Sequence, residues 1–142
     1  VVGGLGALAA VAAVAAVAAV GAAALTAIGA WRERAAGAAF FNGERALVAR
    51  VAGHDTLLPP AAARCANCHA GAQAIGTVLT AQRLSQPLPR RGGPPSRYDA
   101  ASLCRLLREG IDPAWVTVPR AMPRYAVDDA TCAALWAHLS RA

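Results

Sequence analysis

Residues 1–30 contain no charged side chain, whereas all fourteen arginines and all eight acidic residues follow Trp31. The chain therefore divides into an apolar rod and a basic globule. Thirty uncharged residues exceed the roughly 20 that a helix needs to cross a bilayer and are about twice the length of a signal-peptide core. Residues 1–30 are expected to form an N-terminal transmembrane anchor helix. Fourteen of them are Ala and five are Gly, and Val11, Val14, Val17 and Val20 recur every third residue among these small side chains. In lipid, small helix surfaces pack against neighbouring helices, so the expected partners are other membrane subunits and the lipid bilayer itself.

The remaining residues have room for one small domain. Its net charge of +6 is carried by arginine alone, which fits an anionic protein or lipid surface. Nucleic acid is not expected, because no basic helix carries interleaved aromatics.

Phe40, Phe41, Leu47, Val48 and Val51 recur at loose helical spacing among charges, which predicts a second helix over 31–53 that continues the first. Pro59-Pro60 then interrupts, and a short helix opens near Ala61. Arg83 to Arg97 holds four prolines, two glycines and four arginines and reads as an extended loop. Asp99 caps a helix from Ala100 to Glu109 that ends at Gly110, with Leu103, Leu106 and Leu107 on its apolar face. A last helix starts at Asp128 or Asp129 and runs to Ser140, burying Leu135, Trp136 and Leu139. No alternating strand pattern occurs. The expected class is all-α: an anchor over 1–30, a helical connector over 31–59 and a helical domain over 60–142.

The run Cys65-Ala66-Asn67-Cys68-His69 carries the chemistry. On one helical turn, two thiols three residues apart reach both vinyl edges of a porphyrin, and the next residue aims its imidazole at the iron. A thioredoxin-like redox pair would need a βαβ setting. Zinc would need two further ligands at similar spacing, whereas Cys104 and Cys132 stand apart. One covalent haem c is the expected cofactor. Met122, the only methionine, directly precedes Pro123 and is the expected second axial ligand to iron, opposite His69. A six-coordinate iron with a thioether ligand suits electron transfer.

Cys65-x-x-Cys68-His69, then Met122-Pro123-Arg124-Tyr125, then Leu135-Trp136-Ala137-His138-Leu139 resembles the class I cytochrome c pattern over about residues 60–142. The resemblance implies a helical fold wrapped round the haem, with Cys65 and Cys68 as thioether attachments and His69 and Met122 as iron ligands. Three features depart from the family. Gly37 and Phe40 or Phe41 lie more than twenty residues upstream of Cys65 rather than close before it. Gly76-Thr77-Val78 stands where the family has Gly-Pro, leaving a backbone carbonyl to orient the imidazole. His138 stands where an aromatic is usual.

Haem attachment of this kind is a family feature of the outer side of the bacterial inner membrane, which implies a single-pass inner-membrane protein with its haem domain in the periplasm. In such an oxidising compartment Cys104 and Cys132 are expected to pair. The function implied is single-electron transfer between a redox donor and an acceptor, as the subunit of a respiratory or photosynthetic membrane complex, with no catalytic residue. The alternative is a haem-based gas sensor or peroxidase-like enzyme with a displaceable Met122, for which His54 and His138 are the candidate distal groups. Trp115 reads either as a donor to a haem propionate or as core.

Overall fold

The computed structural model describes the backbone of residues 4–141 and the side chains of 19–141. Helix α1 spans Gly4–Asn42, and the chain divides into two units, Val1–Arg32 and Glu33–Ala142. The end of α1 is set by Gly43, whose φ of 81° lies in the left-handed region that terminates helices. The expected continuation to residue 53 is thereby cut short.

Among the described residues no helix is long and apolar enough to cross a membrane. This corrects the expected transmembrane anchor, and with it the inner-membrane, periplasm-facing placement. Residues 1–18, with Val11, Val14 and Val17 of the expected packing face, lie outside the described side chains.

The second unit mixes helices with two small antiparallel sheets, which corrects the all-α expectation. Strand β1 (Ala49–Arg50) and the one-turn helix α2 (Ala66–His69) come first, then α3 (Ala81–Ser85), β2 (Leu88–Pro89) and β3 (Pro95–Ser96). Helix α4 (Ala100–Glu109), β4 (Arg124–Tyr125) and α5 (Asp129–Leu139) complete it. β1 pairs with β4, Ala49 opposite Tyr125, and β2 pairs with β3, Leu88 opposite Ser96. Two-residue strands cannot display a period-two pattern, so alternation had nothing to reveal. The stretch read as one loop over 83–97 instead contains part of α3 and the β2–β3 hairpin.

The α4 and α5 boundaries follow from their caps. Asp99 accepts from Ser102 N at 2.7 Å while Ser102 Oγ accepts from Asp99 N at 2.9 Å, a reciprocal box. Gly110, at φ 75°, closes α4. Asp128 caps α5 by accepting from Thr131 N at 2.7 Å. Leu103, Leu106 and Leu107 of α4 join Leu135 and Leu139 of α5 in one core with Phe40 and Phe41 from the end of α1. A disulfide between Cys104 and Cys132 links α4 to α5, with 5.3 Å between their Cα atoms.

Gly37 marks where α1 meets α5. A Cβ built there would overlap the carbonyl of Ala134 and stand 2.8 Å from His138 Cβ. Only a bare backbone allows this approach, and it places Phe41 beside His138 with ring centroids 5.5 Å apart.

Candidate functional site

Cys65, Cys68, His69 and Met122 all line one cavity of about 810 Å³ in the second unit. Pro59 and Pro60 carbonyls accept from the amides of Ala62 and Ala63, a tight turn that delivers the chain to Cys65. His69 N donates to Cys65 O at 3.0 Å, so the three side chains share one turn of helix. Both Cys65 and Cys68 are free thiols.

The imidazole of His69 is oriented from outside this turn. Its Nδ1 lies 2.7 Å from Thr77 O. A carbonyl only accepts, so Nδ1 carries the proton and Nε2 of the neutral ring keeps its lone pair. Gly76 makes the arrangement fit: its amide donates to Cys68 O at 2.8 Å, and a Cβ there would stand 3.0 Å from His69 Cε1.

Met122 sits in the segment before β4. Arg124 Nη1 donates to Met122 O at 2.6 Å, and Nη2 donates to Val118 O at 3.4 Å. The Arg124 guanidinium occupies the space above Gly110 that a side chain there would fill. Pairing of β4 with β1 then fixes Tyr125, which is buried and donates its O–H to Ala63 O at 3.1 Å. The methionine loop and the cysteine turn are thus tied through one phenol. Burial pushes the Cys65 thiol up to about 11, with the Tyr125 hydroxyl opposing that rise, and burial likewise raises Tyr125. Cys65 is held as the neutral thiol.

The cavity wall also carries arginines. Arg83, Arg90 and Arg91 line the cavity, with Arg90 Nη2 donating to Arg83 O at 2.6 Å and its guanidinium 5.0 Å from the Tyr98 ring centroid. Arg90 Nε is buried without a hydrogen-bond partner among the described residues.

The structure brings Cys65, Cys68, His69 and Met122, the candidates read from the sequence, to one cavity, and adds Arg124 as a clamp and Tyr125 as a tie. The signal available was their position directly after Met122-Pro123. His54 is exposed and His138 packs on Phe41; neither lines the cavity. Trp115 is neither core nor cavity wall, being 71% exposed. Among the described residues no three His, Cys, Asp or Glu side chains converge on a common point. This corrects the expectation of a metal-binding group.

No family model, curated protein or solved structure matches the chain.

Proposed function

We propose that residues 33–142 form a single-haem electron carrier of the class I cytochrome c type, passing one electron at a time between a donor and an acceptor protein. The observation that carries this reading is the convergence of Cys65, Cys68, His69 and Met122 on one cavity, with the His69 proton fixed on Nδ1. No other group of side chains in the sequence offers two thiols, an imidazole lone pair and a thioether together.

The residues present suit the group. The cavity falls within the roughly 300–1,000 Å³ of ligand sites. Its wall is mainly apolar, suiting a porphyrin face, and the unpartnered Arg90 Nε suits a porphyrin carboxylate. Cys65 and Cys68 would each add across one vinyl group, sulfur to one carbon and hydrogen to the other, so attachment uses free thiols and no oxidant. His69 Nε2 and Met122 Sδ would hold the haem iron, and a haem so held would supply a one-electron couple. His54 and His138 do not line the cavity, which supports the carrier reading over the sensor or peroxidase reading.

The test is expression alongside a haem-attachment system. One haem per chain is expected, resistant to acid extraction, with a Met-to-iron charge-transfer band that vanishes in Met122→Ala as carbon monoxide binding appears. Extractable or absent haem, or carbon monoxide binding by the unaltered protein, overturns the reading.

A further inference from the structure

The segment from Ile111 to Thr117 is a tight hairpin away from the thiol turn. Ile111 and Thr117 pair as an antiparallel bridge, Asp112 N donates to Val116 O at 3.0 Å, and Trp115 N donates to Asp112 O at 3.0 Å. Pro113 occupies the turn position that suits its fixed φ. This is a three-residue loop whose last member lies in the left-handed region, a place that chains ordinarily give to glycine. Here it is Trp115, at φ 63°.

The surroundings hold that conformation from several sides. The Asp112 carboxylate is fully buried; its Oδ1 accepts from Ala114 N and Val116 N, each at 2.9 Å, and its Oδ2 faces Arg91 Nη1 at 3.4 Å. Arg105 reaches across from α4, donating from Nη2 to Asp112 O at 3.2 Å, and its guanidinium carbon stands 3.9 Å from the Trp115 ring centroid. The indole, covered on one face by this cation, is still 71% exposed. Strained backbone that its neighbours over-determine clusters at functional sites, and here it holds a large aromatic out in water.

We propose that the hairpin tip, Asp112 to Val116, docks an acidic protein partner, with Trp115 as the inserted anchor and Arg105 as its charged companion. Tryptophan and arginine are the residue types that dominate protein interfaces, because a rigid ring and a planar cation lose little entropy on contact. The hairpin has no basic residue of its own and its only carboxylate is buried and already satisfied, so the charge beside Trp115 is that of Arg105 and Arg91. A partner of opposite sign follows from this charge and from the +6 of the chain. Arg91 links the tip to the cavity, since it contacts Asp112 and also lines the cavity wall. The proposal does not depend on what the cavity holds.

The probe is a fluorescein-labelled peptide of alternating glutamate and leucine, titrated with the full chain and read by anisotropy, beside vesicles of phosphatidylglycerol. Trp115→Ala and Arg105→Ala are each expected to weaken peptide binding about tenfold or more. Arg141→Ala, which removes the same charge elsewhere, is expected to change it by no more than about twofold. Trp115→Gly serves as the second variant: glycine accepts the backbone conformation, so binding should fall while the melting temperature does not. Equal losses for Arg105→Ala and Arg141→Ala, unchanged binding in Trp115→Ala, or binding to the vesicles without binding to the peptide would each overturn the proposal.

Discussion

His69 donates its Nδ1 proton to the carbonyl of Thr77 at 2.7 Å, and Gly76 supplies the clearance that lets the two meet. A backbone acceptor cannot be removed by side-chain substitution, so the informative change is beside it. In Gly76→Ala the new methyl would press on Cε1, Nδ1 and the Cys68 carbonyl, each at 3.0 to 3.1 Å. The ring must turn. Disturbing the partner that orients a metal-binding histidine weakens metal affinity by about 10- to 100-fold. On the haem reading, added imidazole should displace His69 at a concentration lower by about that factor, followed by absorption.

The Gly37 contact gives a test independent of any cofactor. A methyl there meets the backbone of Ala134, which cannot rotate away as a side chain can. Overpacking of this kind costs about 1–3 kcal/mol. Gly37→Ala should lower the urea midpoint of the second unit accordingly, and Gly37→Leu should lower it further. An unchanged midpoint would show that the two helices do not touch there.

Reduction of the Cys104–Cys132 bond should be more costly. The cysteines are 28 residues apart in sequence, and closing a loop of that size stabilises by roughly 3–4 kcal/mol on the chain-entropy model. The loop includes Met122, so thiol reductant should shift the melting transition downward and loosen the methionine segment. Hydrogen exchange at Met122 and Arg124 would register the second effect, and Cys104→Ala/Cys132→Ala should reproduce both without reductant.

The Asp99 cap makes stability depend on pH. Hydrogen bonds from Ser102 Oγ and N hold the carboxyl below its ordinary value. A carboxyl whose pKa is lower in the folded chain contributes fully above the unfolded value of about 3.9, and that contribution is lost as the pH falls through the folded value. Asp99→Ala should therefore destabilise by about 1 kcal/mol near neutrality. Urea melts of variant and parent should converge as the solution is made acidic.

These relationships were unequally legible in the sequence. Helices α4 and α5 could be read because Asp99, Gly110 and Asp128 mark their ends by side-chain and backbone chemistry local to each residue. That Cys65, Cys68, His69 and Met122 line one cavity could be anticipated because spacing on one turn and a unique methionine are sequence properties. The small sheets could not, since β1 meets β4 across more than seventy residues and neither is long enough to show a period. The end of α1 at Gly43 was also missed, because the apolar residues beyond it, Leu47, Val48 and Val51, continue a helix-like spacing in a chain that is no longer helical. Gly37 looked too far from Cys65 to serve the core. The intervening residues fold back through β1, and the distance along the chain is lost.

Trp115 was the least legible, because nothing in Asp112-Pro113-Ala114-Trp115 announces a left-handed tryptophan. A non-glycine residue in that region costs about 1–2 kcal/mol, and the exposed ring recovers little of it by burial. Its stacking with Arg105 returns about 0.5–1 kcal/mol at an exposed site. The strain is the larger quantity, so Trp115→Gly should stabilise the fold by up to about 1 kcal/mol, a rise of several degrees in melting temperature for a domain of this size. Trp115→Ala keeps the strain and loses the stacking, so it should melt slightly below the parent. The opposite order, with glycine below alanine, would mean that residue 115 is not held in the left-handed region, because glycine then brings only its greater unfolded-state entropy.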